Sequence, residues 1–184
     1  MAQKDVSLIV VGGTPERIAS LRAGKIQATL FSPPQNFAAQ AEGFNLLADV
    51  ADLGLPFVHV GVATTRGFVR DNPDTIRRYV RSHVEAVQLM KSDRETGIKV
   101  LAKYLRTIKD RDILSKTYEG VIPDNKFSPK QYPAMPGVQM ALDLLAEENP
   151  KAKSIKPEDF VDARFIKELD ESGYIHGLYE GKGK

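Results

Sequence analysis

Two short turns hold the residues best suited to binding chemistry in this sequence: Gly12-Gly13-Thr14 and Ser32-Pro33-Pro34, each closing a short apolar run. Gly12 and Gly13 have no side chains to keep an incoming group away from their amides. A helix opening at Thr14 adds unsatisfied N–H donors, a hydroxyl and the positive end of a dipole, which suit a carboxylate, sulfonate or phosphate. Ser32 offers a second hydroxyl beside the rigid Pro33. The same residues are also ordinary turn formers, and Gly-Gly-Thr-Pro has neither the P-loop nor the G-x-G-x-x-G spacing. Both readings stand at this point.

Other reactive residue types point to less. His59 lies in a strand-like run and can face a cleft; His83 shares the apolar stripe of a helix and reads as packed; His176 is near the C-terminal end. None has a serine, cysteine or carboxylate at a recognisable catalytic spacing, so no catalytic residue and no cofactor is assigned. Three widely separated histidines and no cysteine argue against a metal centre, a thiolate nucleophile or a disulfide framework. Arg70, Arg77, Arg78 and Arg81 are interleaved with Asp71, Asp74 and Glu85, and Arg81 stands four residues from Glu85. They read as a solvated helix face rather than a phosphate patch. With 26 basic against 24 acidic residues the formal charge is only +2, which disfavours nucleic acid as a partner.

The elements that must position these turns follow from periodicity. At 184 residues, 42% apolar and 27% charged, the chain suits one good core or two small lobes. Val6–Val11, Gln27–Phe31, Phe44–Val50 and Phe57–Thr64 are short apolar runs that read as strands. Helices are expected from Thr14, as N-cap, to Gly24, and over 36–42, so the front third has the βαβ rhythm of a parallel sheet. From Asp74 the period becomes helical, with Ile76, Tyr79, Val80, His83, Val87 and Met90 on one face. Further helices are expected over 94–105, 110–119, 137–147 and 162–171, and the Gly-Lys-Gly-Lys end reads as a frayed tail. No stretch approaches the ~18 apolar residues of a membrane span. The six-residue apolar run near the start is too short for an export signal, which points to the cytoplasm if the chain is complete as written.

The connected order of "VGGTPERIASLRAGKIQATLFSPPQNFAAQAEGFNLLADVADLGLPF", "RGFVRDNPDTIRRYVRSHVEAVQLMK" and "LLAEENPKAKSIKPEDFVDARFIKELDESGYI" resembles the extracytoplasmic solute-binding proteins of ABC importers, in the NMT1/THI5-like branch of sulfonate, taurine and thiamine-precursor binders. One local departure is Gln27, where the family often carries an acidic residue. The resemblance implies an α/β, type II periplasmic-binding-protein-like fold, here partial: one parallel-sheet lobe plus a helical C-terminal half. Residues 1–56 would be part of the second lobe, 57–69 the crossover strand and 70–184 the helical region. Gly12, Gly13, Thr14, Ser32 and Pro33 would lie on the cleft wall, with His59 as a further candidate.

It further implies periplasmic residence, a small organic anion as ligand, an ABC importer permease as partner, and no catalysis. The chain would begin inside the second lobe, without the strand that normally lies between Val6–Val11 and Gln27–Phe31. That gap leads to the expectation of a homodimer or higher assembly, with direct pairing of the two strands or redirection of Phe57–Thr64 as other repairs. The alternative function is a remnant that binds no solute and acts through self-assembly.

Overall fold

The computed structural model describes residues 5–58, 60–105, 108–122 and 128–181. Its regular elements are helical: α1 (Thr14–Arg22), α2 (Gln35–Ala41), α3 (Arg66–Asp71), α4 (Pro73–Ser92), α5 (Arg94–Tyr104), α6 (Arg111–Val121), α7 (Met135–Glu148), α8 (Arg164–Glu171) and α9 (Tyr174–Tyr179), with 3₁₀ turns at Val50–Leu53, Pro150–Ser154 and Pro157–Asp159.

Local chemistry accounts for the helix ends. Asp93 caps α5, accepting from the Thr96 amide at 2.9 Å, and Thr65 caps α3 through the Phe68 amide. Helices α1 and α2 both stop at a glycine of positive φ, Gly24 and Gly43. The amides of Lys25 and Phe44 reach back to the carbonyls of Ser20 and Ala39, and those of Gly24 and Gly43 to Leu21 and Gln40. This paired pattern satisfies carbonyls that the helix end leaves open.

The chain divides into two units. The first, Met1–Leu47 with Val100–Val121, packs α2 on α6. Leu114, Thr117 and Tyr118 bury one face of α6, and Ala39 is buried on α2. Buried Thr117 donates its hydroxyl to the Ile113 carbonyl at 2.7 Å, so its burial leaves no unmet donor. The Phe37 ring lies so close to Gly120 that a Cβ there would sit 3.2 Å from it. Two arginine contacts tie the segments around α1. Arg22 donates two hydrogen bonds to the Glu42 carboxylate, at 2.7 Å and 2.5 Å, and Arg17 reaches the Leu30 carbonyl.

The second unit, Ala48–Lys99 with Ile122–Lys184, is built on α4. Val84 is fully buried and, with Ile166 of α8 and Ile175 of α9, forms a cluster flanked by Val80, Ala163, Leu169 and Leu178. The buried stripe of α4 is therefore Val80, Val84 and Val87, at helical spacing. Val80 and Val87 are on the expected stripe, whereas Tyr79 and His83 are exposed and Val84 takes the place expected for His83. Helix α7 packs on the 3₁₀ turns at Pro150–Ser154 and Pro157–Asp159. Near its start, residues 57–58 cross so closely that a Cβ on Gly137 would lie 2.8 Å from Val58 Cγ2 and 2.9 Å from the Val58 amide nitrogen.

The expectation of an α/β fold with a parallel-sheet lobe is overturned: among the described residues there is no strand and no sheet. The described residues of Val6–Val11, Gln27–Phe31, Phe44–Val50 and Phe57–Thr64 contain no ladder, and Val50 instead opens a 3₁₀ turn. The reason is physical. A strand exists only when another segment supplies hydrogen-bond partners and a surface to cover, and no described backbone bond joins these runs to one another. Most of their described side chains face solvent, with Leu8 80%, Val10 100%, Leu47 82% and Val60 83% exposed. No helix among the described residues is long and apolar enough to cross a membrane. The tail at 182–184 lies outside the described residues.

Candidate functional site

The first turn is held by backbone geometry and one guanidinium. Gly12 adopts φ +103°, a conformation that side chains disfavour. Gly13, not Thr14, takes the N-cap position of α1, with φ −75° and ψ −175°. Thr14 is the first helical residue, which corrects its expected role as cap. Its hydroxyl accepts from Arg17 Nη2 at 3.2 Å, so the side chain serves Arg17 rather than the helix amides. Glu16 folds back toward the turn: a Cβ on Gly13 would lie 2.9 Å from Glu16 Oε2.

Ser32, Pro33 and Pro34 form the second turn. The Pro33–Pro34 bond is cis, and Pro34 is buried and occupies the N-cap position of α2. The Ser32 carbonyl accepts from the amides of Gln35, at 2.9 Å, and Asn36, at 3.3 Å. One buried acceptor near this turn, Asn36 Oδ1, has no hydrogen-bond partner among the described residues. Orphaned buried acceptors of this kind are uncommon in proteins and call for a donor from water or a ligand.

Arg17 connects the first turn to the residues just before the second. Its Nη1 donates to the Leu30 carbonyl at 2.9 Å, its Nε to the Gly13 carbonyl at 3.4 Å, and its guanidinium lies 5.8 Å from the centre of the Phe31 ring. The structure thus brings Gly13 and Thr14 toward the residues that enter Ser32-Pro33, through a side chain instead of a shared sheet edge. These three acceptors are neutral, and among the described residues no carboxylate is bonded to Arg17. Arg17 and Asn36 were not singled out from the sequence. The available signal was the position of Arg17 four residues, about one helical turn, after Gly13. His59 lies outside the described residues.

The expected solvated arginine face lies in the second unit. Arg77, Arg78 and Arg81, with Phe165, Glu168 and Leu169, line an open recess of about 230 Å³. Arg77 pairs with Asp74 and Glu168 at 2.8 Å, and Arg81 with Glu85 at 2.9 Å. Tyr174 donates its hydroxyl to Glu85. Hydrogen bonds from Tyr174 and then Arg81 hold the Glu85 carboxyl below its ordinary value, and Arg77 does the same for Glu168. Carboxylates pushed down in this way stay ionised and are poor proton donors near neutral pH. Among the described residues no group of histidine, cysteine and carboxylate side chains is arranged to hold a metal ion.

Comparison with known proteins adds a family. The profile of the NMT1-like family matches residues 1–106. Over 79 residues the chain is 28% identical to a Brachyspira hyodysenteriae protein named as an ABC transporter periplasmic binding protein, a match covering 43% of this chain and 22% of that protein. The matched region is therefore about a fifth of the relative's length. No solved structure matches the chain.

Proposed function

Because the chain belongs to the NMT1-like family, we propose that it serves the solute-binding side of an ABC importer and holds a small organic anion without transforming it. The carrying observation is Arg17, a cation bonded to neutral acceptors in the first turn and at Leu30, two residues before the second. A ligand carboxylate, sulfonate or phosphate beside it would meet a planar guanidinium, the amides of the Gly12-Gly13 turn and the Ser32 hydroxyl, with Pro33 as a rigid wall. Asn36 Oδ1 supplies an acceptor for a donor group on the same ligand. Glu16, which leans over Gly13, must swing aside for an anion to reach the amides. His59 belongs to the proposed contact set on its sequence position alone.

Membership in a binding-protein family, together with carboxylates held ionised by arginine partners, favours binding over catalysis. Periplasmic residence, an importer permease as partner and association of copies complete the proposal. Titration calorimetry of the purified chain with acetate, ethanesulfonate, taurine and inorganic phosphate tests it. One class should bind, and Arg17→Gln should abolish the heat. No binding of any class by a folded chain would defeat the reading.

A further inference from the structure

The chain exposes 13,659 Å² of surface. A compact protein of 20.3 kDa exposes about 8,800 Å², and two separately folded bodies dividing that mass in the proportions of the two units expose about 10,500 Å². The surplus over even the second figure is about 3,000 Å², the scale of an obligate protein–protein interface. Large hydrophobic residues contribute to it, concentrated in Val6–Val11, Leu30, Leu46–Leu47 and the 50–62 segment.

Of these, Val6–Val11 is distinguished by its backbone. Leu30 already accepts from Arg17, whereas no hydrogen bond involves residues 6–11 among the described residues. Leu8, Ile9 and Val10 are consecutive and all exposed, so a cover must act on both sides of the chain and also supply donors and acceptors along it. A flat apolar surface supplies only the first. Another run of the same kind supplies both.

We infer that two copies of this chain pair through Val6–Val11, antiparallel about a two-fold axis at Ile9. That symmetry sets Ile9 opposite Ile9, Leu8 opposite Val10 and Ser7 opposite Val11, and it is self-complementary, so one pairing satisfies both copies. No ionisable side chain lies between Val6 and Thr14, so no like charges meet across the axis. The pairing is a ribbon between molecules and leaves each copy helical. It rests on the association of copies included in the proposed function and names the segment responsible.

Light scattering coupled to gel filtration, with hydrogen exchange of the Ser7–Val11 amides, tests the inference on the full chain. The expected species has about twice the 20.3 kDa chain mass, with these amides exchanging about 100-fold slower than in Ile9→Pro. Ile9→Pro and Val10→Lys should both give monomers with unchanged helical circular dichroism, since neither residue is bonded or buried in the single chain. A wild-type chain that stays monomeric at all concentrations overturns both the inference and the association reading, while solute titration stands apart. A dimer that survives both substitutions, or shows no slowing at 7–11, overturns this inference alone. Open-ended polymers would also overturn it, because a two-fold contact closes.

Discussion

Arg17 Nη1 donates to the carbonyl oxygen of Leu30 at 2.9 Å, and this contact brings the start of α1 together with the residues that lead into the second turn. Thirteen positions separate the two residues. Replacing the guanidinium by Gln should therefore lower anion affinity at least about 10-fold and cost stability on the order of 1 kcal/mol from the lost hydrogen bonds. Lys, which keeps the charge but not the planar fork, should fall between. Calorimetry and urea denaturation read the two effects separately.

Thr14 should behave as a positioning residue for Arg17. Because Gly13 holds the cap, Thr14→Ala should cost about 0.5 kcal/mol of stability, less than the ~1 kcal/mol of a lost N-cap. Affinity for the bound anion should drop by more than stability does. A full cap penalty with unchanged affinity would return Thr14 to a purely structural role.

Gly137 and Gly177 make a contrasting pair in the second unit. A methyl at Gly137 meets Val58 at under 3 Å, whereas one at Gly177 meets nothing within 4 Å. Gly137→Ala should destabilise by about 1–3 kcal/mol through displacement of the 57–58 crossing. Gly177→Ala, inside α9, should stabilise by about 0.5–1 kcal/mol. Thermal denaturation should move in opposite directions for the two.

The Arg22–Glu42 pair predicts an acid-side dependence. The hydrogen bond from Arg22 holds the Glu42 carboxyl below its ordinary 4.5. A folded-state value below the unfolded one contributes stability that is present in full above about pH 4.5 and is lost as pH falls through the depressed value. The side chains are partly exposed, so the effect is modest and weakens with salt. Carboxyl chemical shifts followed by NMR should show the low midpoint, and Arg22→Leu should bring it back toward 4.5.

Helices were legible because their signals are local. Gly24 and Gly43 stop α1 and α2 as expected, and α4, α5, α6, α7 and α8 begin and end within a few residues of their expected limits. The strands were not, because Val, Ile and Leu in a short run state a preference that only a distant partner can realise. His83 was misplaced because it and Val84 both fall three or four residues from Val80 and Val87, and the buried place goes to Val84. The turns at Gly12-Gly13 and Ser32-Pro33 were legible as turns. Arg17 was not, since its role depends on where a carbonyl thirteen residues away is placed.

The large exposed area has a calorimetric consequence. A chain that leaves 13,659 Å² in water removes only about three quarters as much surface on folding as a compact protein of its mass. The heat-capacity increment of unfolding scales with that surface, so a monomer should fall below the usual ~12–15 cal/mol/K per residue, giving a flatter stability curve and a shallower denaturant slope. Copies that cover each other would recover part of the missing increment. Its size should therefore grow with protein concentration, so that a scanning calorimeter reads molecular association without weighing the particle.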